Sequence, residues 1–301
     1  MDLEGLRHRF GGPNVSFRLG PGELTVVDVE HEFGSVSVAF NGAHVLDYKT
    51  SRGDSVLWLS PHSNFVPGKP IRGGIPICWP WFGPHSTDPG LPAHGLARLS
   101  QWTLSRIGSP ENEEGIEVVF ELSSSDQFGS HWPHPFHLTY AVSILDGSLD
   151  VSLVARNLGE QPVTLSGALH TYLGVKRIDQ IEIRGLEGCD YLDQLEQLAR
   201  KRQIGAVVFD REVDRIYLEG PERVQVTGTL AGIPMELLSR GSRSTVVWNP
   251  WIDKARRMPD FGDEDYLQMV CVETANAGPD QRRLSPNATH ELGVRIRPVM
   301  D

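Results

Sequence analysis

The chain has 301 residues, of which 39% are hydrophobic and 22% charged, so it has enough apolar material for a sizeable core. A net charge of −11 argues against a nucleic-acid partner, because such binding requires clustered Lys and Arg. Three widely spaced cysteines, together with no apolar stretch of signal-peptide or membrane-span length, predict a cytoplasmic protein with free thiols and no membrane partner. We expect a monomer whose ligand is a small molecule.

Short runs of alternating apolar and polar residues recur along the chain and predict β-strands. The clearest, each bounded by Gly, Pro, Asn or Asp, lie at 22–29, 34–40, 115–122, 148–155 and 222–230. Asn41-Gly42 and Asp146-Gly147 separate pairs of such runs and predict hairpin turns, since these residues accept positive φ. Residues 193–202 alone have helical composition over a useful length. This pattern predicts antiparallel sheets packed as a sandwich or barrel, in one domain over residues 1–301.

Two segments interrupt the strand pattern and are crowded with Pro, Gly and aromatic residues. They are residues 61–98 and 249–263. Long structured loops on a rigid scaffold often carry function, although they also serve simply to cover a sheet edge.

Three histidines spaced three apart, His131, His134 and His137, suggest a metal site at first sight. Pro133 and Pro135 exclude the helix that would place them on one face, and in an extended chain successive ones point to opposite sides. We therefore predict surface histidines here, and no metal site.

Two predicted strands carry one ionisable residue each among apolar neighbours. In residues 167–174, His170 shares a face with Tyr172, and in residues 270–276, Glu273 shares a face with Cys271. A histidine in such a setting is more often structural than catalytic. A carboxylate within a buried strand is costly unless it is paired or functional, and for Glu273 we favour a functional role over a structural salt bridge.

Six sequence blocks follow one another along most of the chain. They are RGGIPICWPWFG (72–83), LPAHGLAR (91–98), ALHTYLGV (168–175), EVDRIY (212–217), VWNPW (247–251) and VCVETAN (270–276). In this order they resemble the signature blocks of the hexose-6-phosphate mutarotases, the glucose-6-phosphate 1-epimerase branch of the aldose 1-epimerase superfamily. The resemblance implies an all-β fold: one large antiparallel β-sandwich of galactose-mutarotase type with few short helices, and a sugar bound across one concave sheet face.

By position, His170 corresponds to the family's catalytic histidine and Glu273 to its catalytic carboxylate. The substrate-binding positions implied by the resemblance are Arg72, His94, Arg98 and Asp214. Glu273 as carboxylate would accept the proton of the C1 hydroxyl, and His170 as imidazolium would protonate the ring oxygen. We expect the two to lie on opposite sides of the anomeric centre with a pyranose between them, and a nearby carboxylate favours the imidazolium. This chemistry requires no metal and no other cofactor.

Phosphate recognition accounts for the arginines, because a guanidinium offers two parallel donors to phosphate oxygens. Lys254 is a further candidate phosphate contact or a solvated loop lysine, and Trp79, Trp81 and Phe82 either stack on the sugar or pack in the core. Two alternatives stay open, a free-aldose mutarotase and a non-catalytic carbohydrate-binding protein. A glycosidase is less favoured, because it generally needs two carboxylates and only Glu273 stands out.

Overall fold

A computed structural model describes residues 2–111, 113–124 and 128–299 of the chain. Its α-helices are short, α1 at Leu3–Phe10 and α2 at Trp251–Ala255. None of the helices in this part of the chain is long and apolar enough to cross a membrane.

Two large antiparallel sheets form the body of the fold, with strands numbered in chain order. Sheet I runs β15 (Ala199–Arg202), β14 (Asp190–Asp193), β16 (Val213–Leu218), β19 (Ser244–Asn249), β20 (Met269–Asn276), β11 (Gly167–Leu169) and β5 (Ile77–Cys78), and β12 (Tyr172–Gly174) also pairs with β20. Sheet II runs β13 (Ile183–Arg184), β17 (Arg223–Val226), β18 (Met235–Arg240), β22 (Thr289–Pro298), β9 (Ser148–Asn157), β8 (Phe136–Leu145), β7 (Gly115–Ser123) and β6 (Thr103–Gly108).

Smaller sheets complete the architecture. One runs β1 (Val15–Leu19), β2 (Thr25–His31), β3 (Gly34–Ala39) and β4 (His44–Thr50), and the other pairs β10 (Val163–Leu165) with β21 (Arg282–Leu284). In the centre, β20 and β11 of sheet I pack against β22 of sheet II. The predicted all-β sandwich is therefore confirmed.

The alternation of β20 decides which residues reach the space outside the sandwich. Val270 and Val272 belong to the main hydrophobic core, together with Val294 of β22. Cys271 and Glu273 point to the opposite face of sheet I, because successive residues of a strand alternate sides. The predicted two-faced strand is correct, and it leaves a buried carboxylate on the outer face.

Both predicted hairpin turns are present. Asp146-Gly147 joins β8 to β9, with Gly147 at φ 70°. Asn41-Gly42 joins β3 to β4, and a Cβ on Gly42 (φ 76°) would lie 2.7 Å from the carbonyl oxygen of Arg98. The second turn therefore packs against the backbone that carries one of the candidate arginines.

The segment of helical composition at residues 193–202 does not form an α-helix. Asp193 ends β14, a single 3-10 turn follows, and β15 returns antiparallel to β14. Gln197 and Leu198 adopt positive φ at the turn, and Arg200 and Arg202 form salt bridges to Asp190 across the hairpin. Pairing of β14 with β16 in sheet I outweighs the helical propensity of a short segment, which is a weak preference.

Candidate active site

A cavity of about 350 Å³ lies on the outer face of sheet I. All six candidate site residues line it: Arg72, His94, Arg98, His170, Asp214 and Glu273. Clefts of about 460, 610 and 740 Å³ elsewhere contain none of the six. The structure therefore brings together residues that span two hundred positions of the sequence.

A break between two strands of sheet I directs His170 into this cavity. Both β11 and β12 pair with β20, but His170 and Thr171 between them leave the regular ladder. The His170 N–H donates to the carbonyl of Pro76 at 3.0 Å, and the Thr171 N–H donates to that of Leu169 at 2.8 Å. The backbone at His170 is thus hydrogen-bonded although it is outside the sheet.

His170 and Glu273 lie side by side. His170 Nε2 is 3.3 Å from Glu273 Oε1, and the exposed fractions of the side chains are 9% and 1%. The ring of Tyr172 stacks on the imidazole at 4.8 Å with an interplanar angle of 10°. The expected arrangement with a pyranose between the two groups is wrong, since they are already in contact. A sugar must instead approach both from the cavity, which suits O1 and the ring oxygen because both are bonded to C1.

Burial changes the expected protonation of the pair. It lowers the pKa of His170 well below its usual range, and His94, Arg98 and Arg72 add to this effect. Burial also raises the pKa of Glu273 well above its usual range, followed by repulsion from Asp214, while Arg98 opposes the rise. The free enzyme therefore favours neutral imidazole beside a protonated carboxyl, in contrast to the ion pair expected from the sequence. Desolvation is the largest cause of both pKa shifts.

His94 is held as a neutral hydrogen-bond donor. The Gly83 N–H donates to the His94 ring at Nδ1 (3.3 Å), and the backbone N–H of His94 donates to the Gly83 carbonyl at 2.8 Å. Burial, then Arg98 and Arg72, lowers the pKa of His94 to about 3. With Nδ1 accepting, the proton of the neutral ring is on Nε2. His94 can therefore donate one hydrogen bond to a ligand in the cavity.

The two candidate arginines have different surroundings. Arg72 donates through Nε and Nη2 to Asp260 at 3.2 and 3.3 Å, and through Nη1 to the Tyr172 hydroxyl at 3.0 Å. Burial disfavours its charge, but Tyr172 and Asp260 together raise the pKa of Arg72. Arg98 donates from Nη2 to the Ala93 carbonyl at 2.7 Å. Within the described residues it has no salt bridge, and its buried Nε has no hydrogen-bond partner.

The other wall of the cavity is acidic. Asp214 accepts a hydrogen bond from Gln194, and burial raises the pKa of its carboxyl. Lys254 lies 3.1 Å from Glu212 and 3.6 Å from Asp214, and its ammonium is 5.6 Å from the centre of the Trp248 ring. Lys254 lines the cavity but is already neutralised by two carboxylates, so its interpretation as a phosphate contact is weakened.

The aromatic residues of block 72–83 divide between core and cavity. Trp79 and Trp81 are buried in the main core. Phe82 lines the cavity and packs edge-on against His94 at 4.9 Å. Core packing is thus the outcome for the two tryptophans, and Phe82 supports His94.

One group of potential metal ligands is found in the described part of the chain. Ligand atoms of His170, Cys271 and Glu273 lie within 4.8 Å of one another, and zinc accepts this combination of donors. Cys271, however, packs in an apolar cluster with Trp58 and Trp248 and does not line the cavity. Burial also raises the pKa of its thiol well above the usual range, which opposes the thiolate that a metal requires. The donor set therefore fits a resident metal poorly.

His44 supports the glycine turn beside Arg72. It is fully buried, its Nε2 lies 2.8 Å from the Gly73 carbonyl oxygen, and burial lowers its pKa to about 4. A Cβ on Gly74 (φ 61°) would lie 2.0 Å from the carbonyl oxygen of Val45 and 2.9 Å from this ring. Glycine at position 74 therefore allows the close approach that places Arg72 over sheet I.

This buried histidine leads to a prediction about stability. The folded pKa of His44 is below the unfolded value of 6.5, so its contribution is full above pH 6.5 and is lost as pH falls towards 4. Over this range, each unit of decrease in pH should cost the His44→Gln variant about 1.4 kcal/mol less free energy of unfolding than it costs the wild-type protein. Urea denaturation at several pH values measures it, with His62→Gln, a surface variant, as control. Parallel acid losses in wild type and His44→Gln would contradict the assignment.

Sequence reasoning missed several side chains of the site. Gln194 lies in the segment of helical composition, and Asp260 lies in the irregular segment 249–263 without a distinguishing neighbour. Strand alternation places Tyr172 on the face of His170, but that alternation does not predict its contact with Arg72. A search for carboxylates within the Pro-rich and Gly-rich segments would have included Asp260, although not its partner.

A large β-sandwich with an ionisable His–Glu pair at a polar cavity fits an isomerase that acts on carbohydrates. The chain belongs to the aldose 1-epimerase family, whose model matches residues 25–297. A protein from Escherichia coli (strain K12), provisionally named glucose-6-phosphate 1-epimerase, is 34% identical over 277 residues, covering 91% of this chain and 90% of its own. A protein of the same provisional name from Cenchrus ciliaris is 36% identical over 244 residues, covering 78% and 72%.

The comparison with solved structures agrees. A Salmonella typhimurium protein, provisionally described as a mutarotase, superposes with a TM-score of 0.87 at 30% identity, covering 96% of this chain and 95% of that chain. A galactose mutarotase-like protein from Clostridium acetobutylicum has a TM-score of 0.70 at 13% identity, covering 95% and 98%. The second likeness concerns the fold alone.

Proposed function

We propose that the protein interconverts the α and β anomers of a hexose 6-phosphate, with His170 and Glu273 as the acid–base pair. The observation that carries this proposal is the contacting His–Glu pair in a cavity that also contains Arg72 and Arg98. The relatives named as glucose-6-phosphate 1-epimerases support the choice of a phosphorylated sugar.

The reaction needs one proton on the pair and no net transfer to solvent. Movement of the shared proton from Glu273 to His170 gives a carboxylate beside an imidazolium. Glu273 then accepts the C1 hydroxyl proton while His170 protonates the ring oxygen, and the bond from C1 to the ring oxygen breaks. Rotation about C1–C2 and the reverse proton transfers close the ring on the other face of the aldehyde. The 3.3 Å contact makes the first transfer direct.

The remaining polar groups are suited to holding the substrate. Arg98 supplies an unbalanced positive charge and Arg72 a directed guanidinium for the phosphate. His94 donates to a sugar oxygen, and Asp214 accepts from a ring hydroxyl. Such contacts to the hydroxyls and phosphate orient C1 against the acid–base pair.

The pH dependence of turnover tests the shared proton. The His170–Glu273 pair loses its base only when it binds a second proton. Burial opposes that step because it lowers the pKa of His170. We expect kcat at saturating glucose 6-phosphate to stay level as pH falls through 6.5, where an ordinary histidine titrates. The measurement is a kcat profile from NMR exchange rates, with saturation confirmed at each pH. A fall in kcat with a midpoint near 6.5 would contradict a buried, singly protonated pair.

A free-aldose mutarotase is the second candidate. It would share His170 and Glu273 but would have no use for two arginines at the cavity. A purely carbohydrate-binding protein is less well supported, because binding alone does not require an acid–base pair at van der Waals contact. A glycosidase would need a second carboxylate at the scissile bond, and Asp214 is already paired with Lys254.

Exchange NMR of the anomeric protons tests the function. With glucose 6-phosphate, catalytic amounts of the protein should accelerate α/β exchange far above the spontaneous rate. With free glucose at the same concentration, the acceleration should be much smaller. Equal acceleration of both sugars would favour the free-aldose function, and acceleration of neither would remove the enzymatic proposal.

We also propose that the protein acts in the cytoplasm, on a small sugar phosphate, as a monomer and without nucleic acid or membrane. Its three cysteines are free thiols, which fits a reducing compartment. A net charge of −11 disfavours contact with a polyanion. Sedimentation at micromolar concentration tests the monomer, for which a mass near 33.4 kDa is expected.

A further inference from the structure

Asp260 joins the two irregular segments of the chain at the cavity. It lies in segment 249–263 and its carboxylate contacts Arg72 of segment 61–98, with Nη2 to Oδ2 at 3.1 Å. The backbone is fixed at the same point, because the Ser60 hydroxyl donates to the Asp260 carbonyl at 2.8 Å. Phe261 packs on Trp58 at 5.1 Å beside this contact. The salt bridge is therefore part of a rigid junction between the two loops.

The backbone of Arg72 is held as firmly as its side chain. Its N–H donates to the Ser63 hydroxyl at 2.8 Å, and its carbonyl accepts from the Ser60 N–H at 3.0 Å. A guanidinium has five N–H groups, of which Asp260 takes one on Nε and one on Nη2, and Tyr172 takes one on Nη1. One N–H on each terminal nitrogen is left for a ligand in the cavity.

The two arginines thus differ in kind. The charge of Arg72 is largely balanced at long range by Asp260, so its attraction for an anion depends on short, directed hydrogen bonds. Arg98 has no carboxylate partner within the described residues and attracts an anion by charge from any direction. A site that contains both kinds of arginine can recognise the charge of the phosphate through Arg98 and its position on the sugar through Arg72.

We propose that Asp260 is a positioning residue that fixes the direction of Arg72 and so makes it specific for a phosphate held at the far end of a correctly oriented sugar. This inference rests on the proposed function. Asp260 does not touch the reacting atoms. It restricts the conformations of the Arg72 side chain before the substrate binds. A loosely held arginine would instead lose that conformational entropy at binding, which would weaken affinity.

Replacing Asp260 by Asn separates direction from charge. The amide keeps the size of the side chain, but an NH2 donor replaces one of the two oxygens that accept from Arg72 Nε and Nη2, so Arg72 becomes a mobile, unbalanced cation. We expect kcat/KM for glucose 6-phosphate to fall on the order of 10- to 100-fold, as for a misplaced binding group. Inorganic sulfate, tested as a competitive inhibitor, should bind as well as to wild type or more tightly, because it needs charge rather than a fixed direction.

Asp150→Asn is the matched control. Asp150 is as buried as Asp260, with 11% of its side chain exposed, and it accepts two hydrogen bonds from Arg240, but it is on sheet II away from the cavity. The Asp150→Asn variant should lose stability, because it also breaks a buried ion pair. Its ratio of kcat/KM to sulfate affinity should stay at the wild-type value. Tyr172→Phe provides a second test, since it removes the third anchor of Arg72 and keeps the ring stacked on His170. It should shift the same ratio in the same direction by a smaller factor.

The outcomes are distinct. A fall in kcat/KM without loss of sulfate affinity in Asp260→Asn supports the inference. Equal loss of both, or no change in either, overturns it and makes Asp260 a purely structural or dispensable residue. Failure of the proposed function would appear separately, as a wild-type enzyme that turns over glucose and glucose 6-phosphate with the same kcat/KM.

Discussion

Replacing Glu273 by Gln is expected to lower kcat for glucose 6-phosphate by about a hundredfold or more, with KM nearly unchanged. The amide fills the same volume beside His170, but it cannot accept the C1 hydroxyl proton. Glu273 is 1% exposed and favours its protonated form, so a neutral amide costs the fold little. The loss should therefore appear in the chemical step, measured by exchange NMR at saturating substrate.

Glu236→Gln controls for the removal of a buried carboxylate. Glu236 is 3% exposed and lies on β18 of sheet II, where it binds Arg223 and Arg297. This variant should lose stability and keep its kcat. If Glu273→Gln kept wild-type kcat, Glu273 would not be the base, and the acid–base role of the pair would have to be abandoned.

Replacing Arg98 by Ala should weaken the binding free energy of glucose 6-phosphate by about 2–4 kcal/mol. KM should therefore rise roughly 30- to 1000-fold, with a smaller change in kcat. The phosphate is bound in both the ground and transition states, and uniform binding appears in KM. Arg98 is the cation without a carboxylate partner in the described part of the chain, so its removal takes away most of the attraction for a dianion. Arg72→Ala should also raise KM, because it removes directed N–H donors and leaves the buried Asp260 carboxylate unpaired near the phosphate.

Free glucose serves as the control substrate for both arginine variants. Its slow turnover should be affected far less, since it has no phosphate to lose. Arg98→Lys should recover only part of the loss, because an ammonium lacks the planar pair of donors. Equal loss of free-sugar and sugar-phosphate turnover would mean that the arginine holds ring hydroxyls or the fold. The free-aldose function would then be preferred.

The sheets could be predicted because their signal is local. Alternation along β20 fixed which face Glu273 occupies, and the Asn41-Gly42 and Asp146-Gly147 turns fixed two hairpins. The segment at 193–202 could not be assigned in this way, since its strand pairing depends on β16, which is distant in sequence. A short run of good helix formers gives no indication of a partner strand.

The site could be predicted as a set of residues but not as an arrangement. The six residues that the family resemblance indicates all line the cavity, together with others that it does not indicate, such as Gln194. The contact between His170 and Glu273 depends on the break between β11 and β12, and no sequence pattern predicts that break. Their preference for neutral forms depends on burial by the surrounding loops, and the Arg72–Asp260 salt bridge joins positions 188 residues apart. These properties arise from packing and cannot be derived from the chemistry of isolated residues.

The most direct test of the paired acid–base mechanism is the kcat of the His170→Asn/Glu273→Gln double variant beside each single variant. Acid and base act on two oxygens bonded to the same carbon, so loss of either should leave the other with little to contribute. The double variant should therefore be about as slow as the slower single variant, as found for catalytic groups that act as a unit. Multiplicative losses, with each replacement slowing turnover by its full factor in the absence of the other, would contradict a single proton shared by the pair.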